Sequence, residues 1–181
     1  MRKINLIVLH CSATRETMEY TPEQLERDHK ARGFFSAGYN YYIRRLGEVV
    51  PMRPPEQIPA HVKGYNAFSL GICYEGGLDA GGHPKDTRTE RQKLSIRGLL
   101  LLLLVQYPGC RICGHRDLSP DRNGDGKITR DEWLKECPCF DAEEEYGMAA
   151  RLPVMGGGFV VAGRCCLVVY GVLVQSGRGD T

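Results

Sequence analysis

The stretch INLIVLHCSAT, residues 4–14, decides the fold. Ile4 to Leu9 is almost continuously apolar, as a central strand covered on both faces requires. The run ends at His10, followed by a Cys-Ser-Ala-Thr turn. Downstream, Thr21-Pro22-Glu23-Gln24 starts a helix, with threonine as N-cap, proline at the first position and glutamine closing a capping box. That helix runs to about Arg32 and stops at Gly33. Tyr39 to Arg45 and Glu48 to Arg53 flank Leu46-Gly47 as a hairpin. A loop from Pro54-Pro55 leads past His61 to a strand over Ser69 to Glu75. In that strand Leu70, Ile72 and Tyr74 share one face, and Gly71, Cys73 and Glu75 the other. Thr87 and Glu90 read as a second capping box, opening a helix to about Tyr107, where Pro108-Gly109 ends it. Its Leu99 to Val105 run is apolar all round, which predicts a buried helix. Arg111 to Arg116 reads as a last core strand delivering His115 near its end. Strands alternating with helices in this order predict an α/β fold, a central mixed β-sheet flanked by helices.

With 181 residues the chain accommodates one well-buried domain, placed at 1–146, and a Gly/Val-rich tail, 147–181. A formal charge of +2 writes no broad attraction to nucleic acid, and none is expected as a partner. The N-terminal apolar run is too short for a signal-peptide core, so cytoplasmic synthesis is the expectation. In that reducing compartment the eight cysteines point to metal binding, catalysis or burial rather than to disulfides. Gly158 to Val174 sits at the short limit for a membrane span, and Arg164 inside it would cost about 3 kcal/mol. A loose hairpin or tail is the competing reading. No stable membrane insertion is expected, and the chain is read as a monomer.

HRDLSPDRNGDGKITRDEWLKECPCFD, residues 115–141, offers two kinds of metal chemistry. Its centre matches a calcium loop: Asp121, Asn123, Asp125, Lys127 through its carbonyl, Thr129 and Glu132 take the ligand positions, and Gly126 the sharp turn. The same residues would also make a tight turn without an ion. Thr129 and Glu132 double as a capping box for a helix carrying Trp133 and Lys135. The ends of the stretch suggest zinc. His10 and His115 each close a predicted strand, at the strand ends where ligand sites gather in α/β sheets. Together with a thiolate such as Cys137 they would leave a zinc ion an open position, and zinc lowers the pKa of a bound water to about 7. Spacing alone does not establish that triad. A cysteine-only site from Cys110, Cys113, Cys137 and Cys139 is the rival, although residues i and i+3 of a strand point to opposite faces.

The stretches VLHCSAT (8–14), AGYNYYIRRLGEVV (37–50), IPAHVKGYNAFSLGICYEGG (58–77), GHRDLSP (114–120) and KECPCFD (135–141) resemble, in order, the zinc-dependent N-acetylmuramoyl-L-alanine amidases. That family includes the amidase-type phage lysozymes and shares its fold with the peptidoglycan recognition proteins. The resemblance implies zinc held by His10, His115 and Cys137, with Cys137 favoured over Cys139 by the lysine, any residue, cysteine, proline pattern. It implies Tyr39 and Lys135 as catalytic residues and His61 as a substrate-binding histidine of the cleft. Bacterial peptidoglycan is then the substrate, cut between N-acetylmuramic acid and L-alanine, with action on the wall after release from the cell. Glu75 is a candidate for assisting proton transfer. Residues 118–134 become an insertion between the histidine ligand and the lysine–cysteine pair. The alternative is a non-catalytic peptidoglycan-binding module of the same fold. Such relatives typically lack the zinc-binding cysteine, whereas Cys137 is present here.

Overall fold

The computed structural model describes residues 2–151, 168–169 and 172–173. Its elements are β1 (Leu6–Cys11), β2 (Thr14–Arg15), α1 (Pro22–Ala31), β3 (Tyr41–Ile43), β4 (Val49–Pro51), β5 (Ser69–Tyr74), β6 (Gly77–Leu78), α2 (Glu90–Gln106), β7 (Arg111–Gly114) and α3 (Ala142–Arg151). Five strands form one sheet in the order β4-β3-β5-β1-β7. β1 pairs in parallel with both β5 and β7, β3 pairs in parallel with β5, and only β4 runs antiparallel. The expected mixed sheet flanked by helices is therefore the observed architecture. β1 lies inside the sheet and is buried along its whole length, as its apolar run requires.

The strand alternation assigns each face a different cover. Ile7, Leu9 and Cys11 of β1, with Leu70, Ile72 and Tyr74 of β5, pack against Ile96, Leu100 and Leu103 of α2 and Tyr146 of α3. On the opposite face, Leu6 and Val8 meet Val62 and Cys113, while Cys73 meets Leu25 of α1 and Tyr42. Helices α2 and α3 thus seal one face, and α1 with the 52–68 loop covers the other. Among the described residues no helix is long and apolar enough to cross a membrane.

Several boundaries differ from the sequence expectation. The box at the start of α2 is Thr89 with Gln92, not Thr87 with Glu90. Thr87 is drawn away because its hydroxyl accepts the Gly77 amide at 2.7 Å. Leu94 and Val105 are 57% and 66% exposed, so α2 is not buried all round; packing on a single sheet face leaves its outer side in solvent. β7 ends at Gly114, and His115 lies just past it. The Thr129–Glu132 box exists but caps only the 3₁₀ turn Arg130–Glu132, leaving Trp133 and Lys135 beyond it. α3 runs through the boundary set at residue 146. Of the Gly/Val-rich segment beyond it, Val168–Val169 pairs antiparallel with Val172–Leu173, as a hairpin would; the rest of what was expected there lies outside the described residues.

Gln92 ties these layers together. Fully buried, it accepts the Thr89 amide at 3.0 Å and donates to the Ile43 and Glu75 carbonyls at 3.1 and 2.9 Å. Gln92→Ala strands the buried Glu75 carbonyl and the Thr89 amide, while the Ile43 carbonyl keeps the Glu75 amide as donor. It should cost about 2–3 kcal/mol by urea denaturation, against about 1 kcal/mol for Thr89→Ala. Equal costs would contradict this bridging role.

Candidate active site

The site is built on the sheet face opposite α2. Residue alternation along β1 puts His10 in phase with Leu6 and Val8, away from the helix-covered core. β7 runs beside β1 with Leu9 opposite Gly114, and the His115 amide donates to the Leu9 carbonyl at 3.1 Å. His115 is thereby delivered next to His10. Cys137 arrives on the segment that follows the 3₁₀ turn. Its carbonyl accepts the Arg116 amide at 2.8 Å, and the Tyr74 hydroxyl donates to the Pro138 carbonyl, also at 2.8 Å. A Cβ at Gly114 would lie 2.5 Å from Pro138 Cδ, so only glycine lets the segment lie this close to β7. Beyond it the Arg88 guanidinium stacks 3.2 Å from the Phe140 ring centroid, anchoring the segment to the core.

These three chains bring ligand atoms of His10, His115 and Cys137 within 4.8 Å of one another. The Nδ1 atoms of His10 and His115 are 3.1 Å apart, and Cys137 Sγ is 3.8 Å from His10 Nδ1. A tetrahedral zinc ion, with Zn–N of about 2.0 Å and Zn–S of about 2.3 Å, separates its nitrogen and sulfur ligands by about 3.3–3.6 Å. The donor set therefore fits zinc in type and in spacing. The Cys11 amide donates to Cys137 Sγ at 3.3 Å and helps fix where the sulfur sits. His10 is 1% exposed, and burial, reinforced by the neighbouring His61, His115 and Lys135, holds it well below the usual histidine range. Burial likewise pushes His61 down to about 3 and His115, with help from the Lys135 charge, to about 4. All three rings are therefore held neutral at pH 7, and His10 and His115 keep a lone pair for a cation.

A cavity of about 230 Å³ opens over this group, lined by Tyr39, His61, His115, Lys135 and Cys137 among others. The Tyr39 ring lies 5.1 Å from the His10 ring, and burial raises its hydroxyl pKa well above the ordinary value. Lys135 is exposed at the cavity wall. Larger grooves exist elsewhere, one walled by Glu16, Glu19, Arg44 and Glu48, yet neither it nor the groove beside Lys63 and Tyr65 holds histidine or cysteine. Five of the six residues singled out from the sequence line this cavity, and the sixth, His10, lies buried behind it against Tyr39, His61 and His115.

Other sequence expectations are redirected. Glu75 does not face the cavity; its carboxylate accepts from the Tyr20 amide, Arg44 Nε and the Arg45 amide, a buried structural role. Cys139 Sγ donates to the Gly77 carbonyl and lies 3.9 Å from Cys11 Sγ, outside the His10–His115–Cys137 group. Cys110 and Cys113 fall into separate core clusters, so the four-cysteine site is not assembled. Calcium is not supported either. Asp121 accepts the Gly124 and Gly126 amides, Asp125 the Lys127 amide, Asn123 the Asp125 amide, and Glu132 the Arg122 and Thr129 amides. The loop's side chains close it as a tight turn by accepting its own amides, and among the described residues His10, His115 and Cys137 form the one convergent His/Cys/Asp/Glu group. Sequence reasoning missed His29, which lines the cavity and accepts the Gly38 amide at 2.7 Å just before Tyr39. The signal was there: His29 is four residues after Leu25, on the buried stripe of α1.

Comparison with known proteins agrees with this geometry. Residues 1–132 match the family model described as N-acetylmuramoyl-L-alanine amidase. The endolysin of Klebsiella phage KP32 is 38% identical over 135 residues, covering 75% of this chain and 80% of that one. The endolysin of Escherichia phage T7 is 33% identical over the same shares. Among solved structures, the endolysin N-acetylmuramoyl-L-alanine amidase LysCS from Clostridium intestinale superposes with a TM-score of 0.61 at 27% identity, over 81% of this chain and 84% of that one. Wild-type Drosophila PGRP-LB, at 19% identity and a TM-score of 0.58 over 76% of each chain, shares the fold. Sheet topology, cavity and relatives converge on one assignment: the chain belongs to the N-acetylmuramoyl-L-alanine amidase family and is a cell-wall-cleaving hydrolase.

Proposed function

We propose that His10, His115 and Cys137 hold one zinc ion, and that around it Tyr39 and Lys135 carry hydrolysis of the bond between N-acetylmuramic acid and L-alanine. The observation that carries this reading is the convergence of two neutral imidazoles and one thiol on a cavity that also contains a lysine. When bound there, zinc polarises water and the scissile carbonyl. The protein's own residues supply the rest. Lys135 brings its ammonium group to the cavity wall, placed to stabilise the negative charge that the carbonyl oxygen takes up as the carbonyl carbon becomes tetrahedral. Tyr39, held as a neutral phenol by burial, remains a proton donor for orienting water or that same oxygen. His61 completes the wall beside them.

The amidase domain, on this proposal, is the 1–146 unit carried on to the end of α3 at Arg151, with 118–134 as an insertion that positions Lys135 and Cys137. At the base of that insertion the Ser119 hydroxyl accepts the Leu134 amide at 3.0 Å and closes the loop. The chain works as a monomer, made in the cytoplasm and acting on the wall after release.

Three measurements test these roles. Mass spectrometry of digested peptidoglycan should show released peptides with free N-terminal L-alanine; new reducing sugar ends alone would mean a glycosidase. Lys135→Met should lower kcat about 10²–10³-fold while zinc content stays at one per chain, whereas Cys137→Ser should lose the zinc. Undiminished zinc in Cys137→Ser would remove that residue from the site. The third is a pH dependence. In the unfolded chain histidine titrates near about 6.5, while folded His61 and His115 refuse the proton down to about 3 and about 4. Below about pH 6.5 the unfolded state binds more protons, so the metal-free protein should lose stability as pH falls towards 4. A urea midpoint that stays constant between pH 7 and 5 would contradict the buried, neutral histidines.

A further inference from the structure

His61 is drawn by sequence to the substrate, but both of its ring nitrogens already have protein partners. Nδ1 lies 2.9 Å from His10 Nε2, and Nε2 lies 3.0 Å from Ser69 Oγ. Ser69 is fully buried at the start of β5, and its hydroxyl donates to the Tyr65 carbonyl at 2.8 Å. A carbonyl only accepts, so the single hydroxyl proton of Ser69 is committed to Tyr65. Towards His61, Ser69 can then only accept, and His61 must carry its proton on Nε2. A neutral His61 with that proton has a bare Nδ1, which can only accept from His10 Nε2–H. His10, neutral in turn, is left with a bare Nδ1, the atom that faces His115 Nδ1 and Cys137 Sγ.

The geometry points to Tyr65, Ser69 and His61 as a tautomer lock, a directed chain of hydrogen bonds that leaves the Nδ1 lone pair of His10 bare and aimed at the metal position. His61 is thus a positioning residue acting through His10, and Ser69 is its anchor. The fold around the chain is built for it. A Cβ at Gly71 would lie 2.8 Å from His61 Cγ, so the ring lies directly on the β5 backbone, in a space only glycine provides. The backbone of the His61 loop is fixed as well, because the Asn66 side-chain oxygen accepts both the His61 and Val62 amides, at 2.9 and 3.0 Å. Ring nitrogens of metal-ligating histidines generally need such a partner on their far side, and losing it typically costs 10–100-fold in metal affinity.

This inference rests on the proposed metal site, and its test separates the two. Nitrogen-15 NMR of the metal-free chain at pH 7.5 reads the imidazole tautomers directly. His10 and His61 should both be protonated at Nε2 and bare at Nδ1. In Ser69→Ala and His61→Phe the His10 signal should shift towards a mixture of tautomers, and zinc affinity, measured by chelator competition, should fall about 10–100-fold. His61→Asn, whose side-chain oxygen can replace Nδ1 as acceptor, should recover most of that loss; a purely structural role would leave Asn and Phe alike. His10 protonated at Nδ1 in the wild-type chain, or zinc affinity unchanged within about twofold in both Ser69→Ala and His61→Phe, would overturn the lock. Failure of the metal site itself shows differently, as a wild-type chain that takes up no zinc while its tautomers are still read without metal.

Discussion

The pairing of β1 with β7, in parallel and in one register, is the constraint on which the site depends. Because Leu9 stands opposite Gly114, His10 and His115 reach the same level of the sheet from positions more than a hundred residues apart. A slip by one residue would turn His10 into the core under α2 and separate the pair. That register is held by burial on both faces of β1, with Ile7 and Leu9 against α2 and Leu6 and Val8 against the opposite cluster. The apolar packing that makes the strand central therefore also sets the distance between two imidazoles.

The third member depends on a different device. Cys137 sits on a segment without regular secondary structure, so no ladder positions it. It is held instead by contacts at each neighbouring residue: the Arg116 amide on its carbonyl, the Tyr74 hydroxyl on the next one, Pro138 against Gly114, and Phe140 beneath Arg88. The Arg88 guanidinium is itself fixed by Asp86, Glu145 and the Tyr146 hydroxyl, which links the end of the site to α3. An irregular segment can position a side chain this way because several independent anchors replace one repeating one.

Much of this was legible in the sequence, and for identifiable reasons. The β1 run, the Thr21–Gln24 box and the alternation in β5 are local signals, and all three appear, although β1 starts at Leu6 and takes in Cys11, which the sequence placed in the turn. The six candidate site residues were singled out through linked motifs, which the sheet brings together although its strand order differs from their order in the chain. What misled were residues with two possible uses. Thr87 looked like a cap but serves Gly77; Glu75, a candidate for assisting proton transfer, binds backbone and Arg44; the Asp121–Glu132 side chains, spaced like calcium ligands, accept the loop's own amides. In each case the deciding partner is set by tertiary packing or by the loop's own closure, which residue spacing does not contain. The Ser69–His61–His10 chain was invisible for the same reason, since it joins a loop to two strands through side chains alone.

The most direct measurement of the central claim is X-ray absorption at the zinc edge of the purified chain. The account predicts one ion with two nitrogen scatterers at about 2.0 Å and one sulfur at about 2.3 Å, the remaining position being filled by oxygen. Two or more sulfur scatterers would bring Cys11 or Cys139 into the site in place of a histidine and contradict it, as would a protein that binds no zinc.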